Sequence, residues 1–476
     1  MSVRPAHLGA VEMSQGYAAG RLSPVEVATD VLQVIDEREP ELHAFWVRDE
    51  LEQVLARARA SQGRWASGTP LSRWDGVTVT LKENIARAGV PMPAGCAAVD
   101  PVAPEMDSPV ARRCKEAGLV VLGSTTMPDW GMLSSGHSSL HGRTVSPLNP
   151  DWTTGGSSSG AGVAAAAGYG PLHVGTDIGG SIRLPATWLG LASLKPSAGR
   201  IPLHAPYLGR VAGPMARRVE DLAVLMDVLS GPDPLDWTSL PAQDVSWTDL
   251  AAGNDGGPWS PHGLRIGVWT RAGYGVEPEP EVVAATRAVA DRFADEGAEV
   301  VELEPWLDQG VLDGINRFWQ ARSWADLSRL RPERQALVHP FVAEWARQGA
   351  GLGGVEVMDA YHAFADLQAR TVAAWSRAGD LDLLVSPVAP CPAYPAELPM
   401  PYPDEGRGMW HINFTLPWNM TGQPAGTVDV GRTGDGRPIG VQIVGRKFDD
   451  LGLLRSAELV VPRTVPSAVD CGQGAT

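Results

Sequence analysis

The chain has 476 residues, a formal net charge of −16, and 44% hydrophobic against 20% charged residues, a globular composition with material for a large buried core. That acidic balance disfavours nucleic acid and anionic membrane surfaces as partners, and no run of eighteen apolar residues offers a membrane span or a signal h-region, so a cytoplasmic protein with a small-molecule partner is expected. Cys96, Cys114, Cys391 and Cys471 lie far apart without a CxxC pair, a pattern of reduced thiols with no zinc or redox-dithiol signature.

In chain order, Ser23, Pro24 and Glu26 predict a capped helix start, continued by an apolar stripe of Val27, Val31, Val34 and Ile35. A second helix is predicted over 49–61, where alanine, leucine and arginine predominate. Both read as packing elements. The segment 76–85, GVTVTLKENI, has strand character and holds Lys82 among apolar neighbours, ahead of a Gly/Pro-rich turn at 89–95. A lysine there either snorkels to solvent from a strand edge or has a chemical task, and the strand alone leaves both open. A helix over 108–117, a short strand over 119–124 and a long polar loop over 129–149 complete an alternation that predicts an α/β core. His137 and His141 in that loop stand four apart but lack the glutamate of HExxH, so two loop histidines and no metal site are expected.

The stretch 149–181, NPDWTTGGSSSGAGVAAAAGYGPLHVGTDIGGS, sets two serine motifs in glycine-rich surroundings. Gly160, Gly162 and Ala165 fit a loose dinucleotide pattern, and Gly156, Ser157 to Ser159 and Gly160 fit a GxSxG elbow, but DWTTGGSSS supplies no preceding strand for either. A P-loop is excluded because no lysine follows the glycines. The remaining reading joins the two motifs. Ser157, Ser158 and Ser159 open a small-residue helix, near unsatisfied backbone N–H groups. Farther on, Gly179, Gly180 and Ser181 follow the apolar LHV and allow successive N–H groups to converge, as an oxyanion hole for acyl transfer requires. A serine hydroxyl is a weak nucleophile. With no obvious histidine base, the candidate is a lysine made neutral by desolvation, which Lys82 would be, relayed through Ser157 if Lys82 lies too far from Ser181.

These segments, GGSSSGAG, GTDIGGSIRLPA and LKPSAGRIP, resemble the amidase signature family, with its GGSSGG, GTDxGGSIRxPA and KPTxGR motifs. The resemblance implies a catalytic set of Lys82, Ser157 behind a cis peptide from Gly156, and Ser181 as nucleophile. It places the oxyanion donors on the backbone of Ile178, Gly179, Gly180 and Ser181, with Gly156, Ser158, Asp177 and Arg183 in support. Asp177 and Arg183 are expected to form a structural ion pair. Ser159 stands where glycine is usual and Ala161 where serine is common, so local hydrogen bonding around Ser157 is the feature open to change. Further similarity covers 76–95, 382–392 and 416–445.

Downstream, 231–262 reads as a connection within one compact domain, LRIGVW as a strand and 279–296 as a helix. The helical, aromatic-rich segment 310–377 carries Phe318, Trp319, Trp324, Phe341, Trp345, Tyr361, Phe364 and Trp375, core residues or the wall of a pocket over the serines. A strand and a closing helix end the domain. The expectation is therefore a single α/β domain over 1–462, a mixed central sheet flanked by helices on both faces with its signature core at about 76–205, and a loose tail at 463–476. The implied function is hydrolysis of a small carboxylic amide through an acyl-enzyme on Ser181, without metal or cofactor, nucleic acid or membrane, a homodimer being compatible with it. The alternatives are the ammonia-producing component of a tRNA-dependent amidotransferase, which frees ammonia from glutamine, and an acyltransferase that passes the acyl group to an amine. The segment RGMWHINFT, before Pro417, holds no acidic residue for glutamine's α-amino group.

Overall fold

A computed structural model describes residues 4–253, 257–403 and 408–461; the expected tail at 463–476, with Cys471, lies outside them. Near the N-terminus, Ser23 Oγ accepts from the Glu26 N–H at 3.1 Å and the Ser23 N–H donates to Glu26 Oε2 at 2.8 Å, the two halves of a capping box. The helix Pro24–Leu42 follows, with Val27, Val31, Val34 and Ile35 buried. The next helix, Leu51–Ala66, runs past the predicted 61.

Eleven strands form one sheet, in the order Phe45–Arg48, Val120–Thr125, Thr78–Lys82, Leu172–Asp177, Val211–Ala216, Ala192–Lys195, Ala425–Arg432, Pro438–Gly445, Leu383–Pro387, Arg265–Val268 and Glu299–Glu302. The sheet is mixed. Val120–Thr125, Thr78–Lys82 and Leu172–Asp177 run parallel, so their C-terminal ends open on one edge. Lys82 and Asp177 are the last residues of their strands and stand at that edge, the usual position of ligand sites in α/β sheets. Behind it, every residue of the helix Ser159–Ala167 is buried. A Cβ on Gly160 would lie 2.3 Å from the Ala44 carbonyl oxygen and 2.5 Å from the Thr126 nitrogen, which is why this helix is built of small residues.

The 231–262 connection contains no helix or strand among its described residues, and it joins two parts of the same sheet, which makes the chain a single domain. The helical segment 310–377 divides into Gln309–Leu327, Pro332–Gln335, Pro340–Arg347 and Gly354–Arg377, with Pro332 and Pro340 each opening a new helix. Val211–Ala216 escapes sequence reading because Gly213 and Pro214 argue against an inner strand, yet Pro214 pairs with Val174 inside the sheet. Two apolar cores form. One fills the region around the parallel strands, and the other packs the 309–377 helices against Trp188, Trp269 and Trp418. Among the described residues, no helix is long and apolar enough to cross a membrane.

Candidate active site

At the carboxyl edge of the parallel strands, Lys82 is fully buried and its Nζ contacts three hydroxyls: Ser157 Oγ at 2.8 Å, Ser158 Oγ at 3.1 Å and Thr176 Oγ1 at 3.1 Å. No carboxylate of a described residue pairs with it. Burial, reinforced by the positive charge of Arg210 and only partly opposed by Asp177 and Glu83, pushes the Lys82 amine well below its usual range. A neutral amine keeps two donor hydrogens and one lone pair, so one of the three hydroxyls is free to donate to it. Strand position puts the lysine in place, and hydroxyls in place of acids leave its charged form without a countercharge.

Ser158 occupies the N-cap of the helix Ser159–Ala167, but its hydroxyl makes no cap. Instead it accepts from Lys82 and from the Thr176 N–H at 3.3 Å and donates to the Thr176 carbonyl at 3.2 Å. Asn84 Nδ2 donates to Thr176 Oγ1 at 3.0 Å. Thr176 and Asn84 therefore complete the setting of Lys82, and sequence reasoning missed both; their signal was proximity to Asp177 and Lys82 along the strands. The Gly156–Ser157 peptide is cis. The Ser158 N–H donates to the Ser181 carbonyl at 3.2 Å, tying the two serine loops together. Ser159 Oγ is buried with no protein partner, so the serine that replaces a glycine adds nothing to this network.

Ser181 is partly exposed in the loop between the strand Leu172–Asp177 and the helix Arg183–Leu189. Asp177 shapes that loop: Oδ1 accepts the Gly180 N–H at 2.8 Å and Oδ2 the Ile182 N–H at 3.1 Å. The Gly180 N–H, one of the expected oxyanion donors, is thus engaged by a carboxylate. Thr415 Oγ1 donates to the Gly179 carbonyl at 2.6 Å. The peptide between Gly179 and Gly180 is thus gripped at both its oxygen and its N–H. Gly180 has φ of +128°, a conformation that favours glycine.

Asp177 and Arg183 form the expected ion pair, both fully buried, with Arg183 Nε and Nη2 donating to Asp177 Oδ2 and Oδ1 at 3.0 and 2.9 Å. Arg183 also donates to the Thr415 carbonyl, Gln442 Oε1 and Asn419 Oδ1, and Asn419 Nδ2 donates to Asp177 Oδ1. Burial would raise the Asp177 carboxyl, but the charge and hydrogen bonds of Arg183, with those of Asn419, outweigh it and hold it below the usual carboxylate range. Breaking a buried pair strands the partner's charge. Arg183→Met is expected to cost about 3–5 kcal/mol of stability, read as a lower midpoint in denaturant unfolding.

The two loop histidines are tied elsewhere: His141 Nε2 to Glu83 Oε2 at 2.6 Å and His137 Nε2 to the Ala396 carbonyl at 2.7 Å. A narrow cavity of about 40 Å³ opens over Ser181 and is lined by Met132, Leu133, Ser134, Ile178, Gly179, Leu184, Trp319, Arg322, Met409 and Ile412 among others. Of the aromatic residues expected over the serines, Trp319 lines this cavity. Phe318, Tyr361 and Phe364 pack on one another, and the indoles of Trp345 and Trp375 donate to Asn316 and to the Leu381 carbonyl.

The fold and this site define an amidase-type enzyme. The Amidase family model matches residues 26–454, and the chain belongs to that family, whose members act on amide C–N bonds. A glutamyl-tRNA(Gln) amidotransferase component of Chloroflexus aggregans (strain MD-66 / DSM 9485) is 33% identical over 466 residues, covering 92% of each chain. An acylamidase of Rhodococcus erythropolis is 31% identical and covers 94% of each. Among solved structures, a bacterial aryl acylamidase of the amidase signature enzymes superposes with a TM-score of 0.87 at 25% identity over 99% of both chains.

Proposed function

We propose that the chain hydrolyses a carboxylic amide through an acyl-enzyme on Ser181, with Ser157 relaying protons between Ser181 and Lys82. The observation that carries this reading is a fully buried lysine without a carboxylate partner, 2.8 Å from a serine hydroxyl. Neutral Lys82 draws the proton of Ser157, and Ser157 draws that of Ser181 as Ser181 Oγ attacks the amide carbon. The N–H groups of Ile178, Gly179 and Ser181 hold the oxygen that becomes negative. Ser157 then hands a proton to the departing amine, and water releases the acid by the reverse relay.

The amidotransferase reading draws on the glutamyl-tRNA(Gln) amidotransferase relatives. Against it, the described residues that line the cavity include no carboxylate to receive glutamine's ammonium group. Ammonia release from glutamine at a rate matching simple amides would reverse that assignment. A cytosolic setting goes with the hydrolase reading and is supported by three free, buried thiols at Cys96, Cys114 and Cys391.

Incubation with an alkyl fluorophosphonate is expected to give a single adduct on Ser181, located by peptide mass spectrometry. An adduct at any other residue, or none, refutes the reading. Thr415→Val removes the hydroxyl that grips the Gly179 carbonyl and reaches the Ile412 carbonyl at 3.2 Å, without substituting a residue that lines the cavity. We expect kcat to fall by up to about a hundredfold with KM little changed, because the loop that carries the oxyanion donors loses a bond that fixes its direction.

A further inference from the structure

Arg322 stands at the mouth of the Ser181 cavity with Arg210 close enough to feel its charge, and among the described residues neither has an acidic partner. The helix Gln309–Leu327 presents Trp319 and Arg322, three residues apart and so on one face, to the cavity. The Arg322 guanidinium lies over the Tyr207 ring, 4.6 Å from its centroid. Stacking holds the guanidinium by its face and leaves its in-plane N–H groups directed outward. The Tyr207 carbonyl accepts the Arg210 N–H at 2.9 Å, so one tight turn carries both the stacking ring and the second arginine. Arg210 Nη2 reaches the Asn84 carbonyl at 3.2 Å, two residues beyond Lys82.

Among the described residues neither arginine forms an ion pair. The acid nearest on the same helix, Asp326, bridges Arg329 at 3.5 Å. Arg210 is pushed below its usual range by burial and by the charge of Arg322. Two like charges held together in a chain of net charge −16 are costly unless an anion joins them. The rest of the lining is mostly apolar, with Met132, Leu133, Leu184, Met409 and Ile412.

We infer that the substrate is an amide bearing a carboxylate, whose apolar part enters the cavity while Arg322 receives the carboxylate at its mouth, the charge of Arg210 behind it adding to the attraction. The planar guanidinium fork matches a carboxylate with two parallel hydrogen bonds, and its positive charge locally opposes the field of the acidic chain. The inference rests on Ser181 being the nucleophile, as proposed above.

Three fluorophosphonates of equal length test it: one neutral, one with a terminal carboxylate on the P-alkyl chain, and one with the carboxylate on the alkoxy chain. Wild type is expected to be labelled at Ser181 at least about tenfold faster by one of the acidic probes than by the neutral one. Arg322→Gln should reduce that preference to near unity, and Arg322→Lys should restore part of it. Because Arg322 is exposed, its variants keep the test usable even if Arg210→Gln does not fold. Equal or faster labelling by the neutral probe, or a preference that survives Arg322→Gln, overturns the inference. Labelling by none of the three overturns the hydrolase reading itself, so the two failures are distinguishable.

Discussion

Ser181→Ala is expected to suppress amide turnover by about six orders of magnitude, the scale of deleting the nucleophile from a serine hydrolase. Stability should change little. Ser181 is partly exposed at the cavity mouth, and the bond that ties its loop to the neighbouring one uses its backbone carbonyl, which alanine retains. Residues that act as a unit give non-additive losses, so adding Ser157→Ala to Ser181→Ala should cost almost nothing further. Steady-state hydrolysis of an anilide, with peptide mapping of the fluorophosphonate adduct, measures both. A double variant far slower than Ser181→Ala would show the two serines acting independently and would sink the relay.

Lys82→Met is expected to produce the second-largest effect, and in opposite directions for rate and stability. Loss of the base should lower kcat by about 10²–10⁴-fold. For stability the sign follows from proton counting. Lys82 is held well below its usual range in the fold, whereas in the unfolded chain it titrates near about 10.4. Between those two values the unfolded chain carries one proton more, so wild-type stability rises with pH across that window and levels off above the unfolded value. Methionine has no proton to gain on unfolding. Lys82→Met should therefore be the more stable protein at neutral pH, and its advantage should shrink as pH rises. Urea unfolding of both proteins at several pH values measures the difference; a difference that does not vary with pH would mean the lysine stays charged in the fold. Wild-type kcat/KM should fall as pH drops through the folded-state titration of Lys82.

The parts of the molecule that could be read from sequence share one physical character. Local rules of short range decide them: the Ser23 and Glu26 capping box, the strand leading to Lys82, the glycines before Ser181. Parts that could not be read depend on contacts distant along the chain. Val211–Ala216 is a strand because neighbours on both sides impose it on a segment containing Gly213 and Pro214. Gln442, Asn419 and Thr415 reach the Asp177–Arg183 pair from the far end of the sequence, and nothing in their own surroundings announces that role. Gly180 illustrates the finer limit. A run of small residues permits converging N–H groups, but which of them Asp177 captures is a matter of ångströms.

The gripped peptide between Gly179 and Gly180 bears on how substrates are chosen. Its oxygen and its N–H are satisfied by Thr415 and Asp177, and Arg183 locks those two together, so the loop needs no ligand to hold its shape. Recognition at the reacting carbon is then a matter of fitting a finished mould. An amide whose carbonyl cannot reach that mould gains nothing from binding tightly elsewhere, so selectivity at this carbon should appear in turnover more than in affinity.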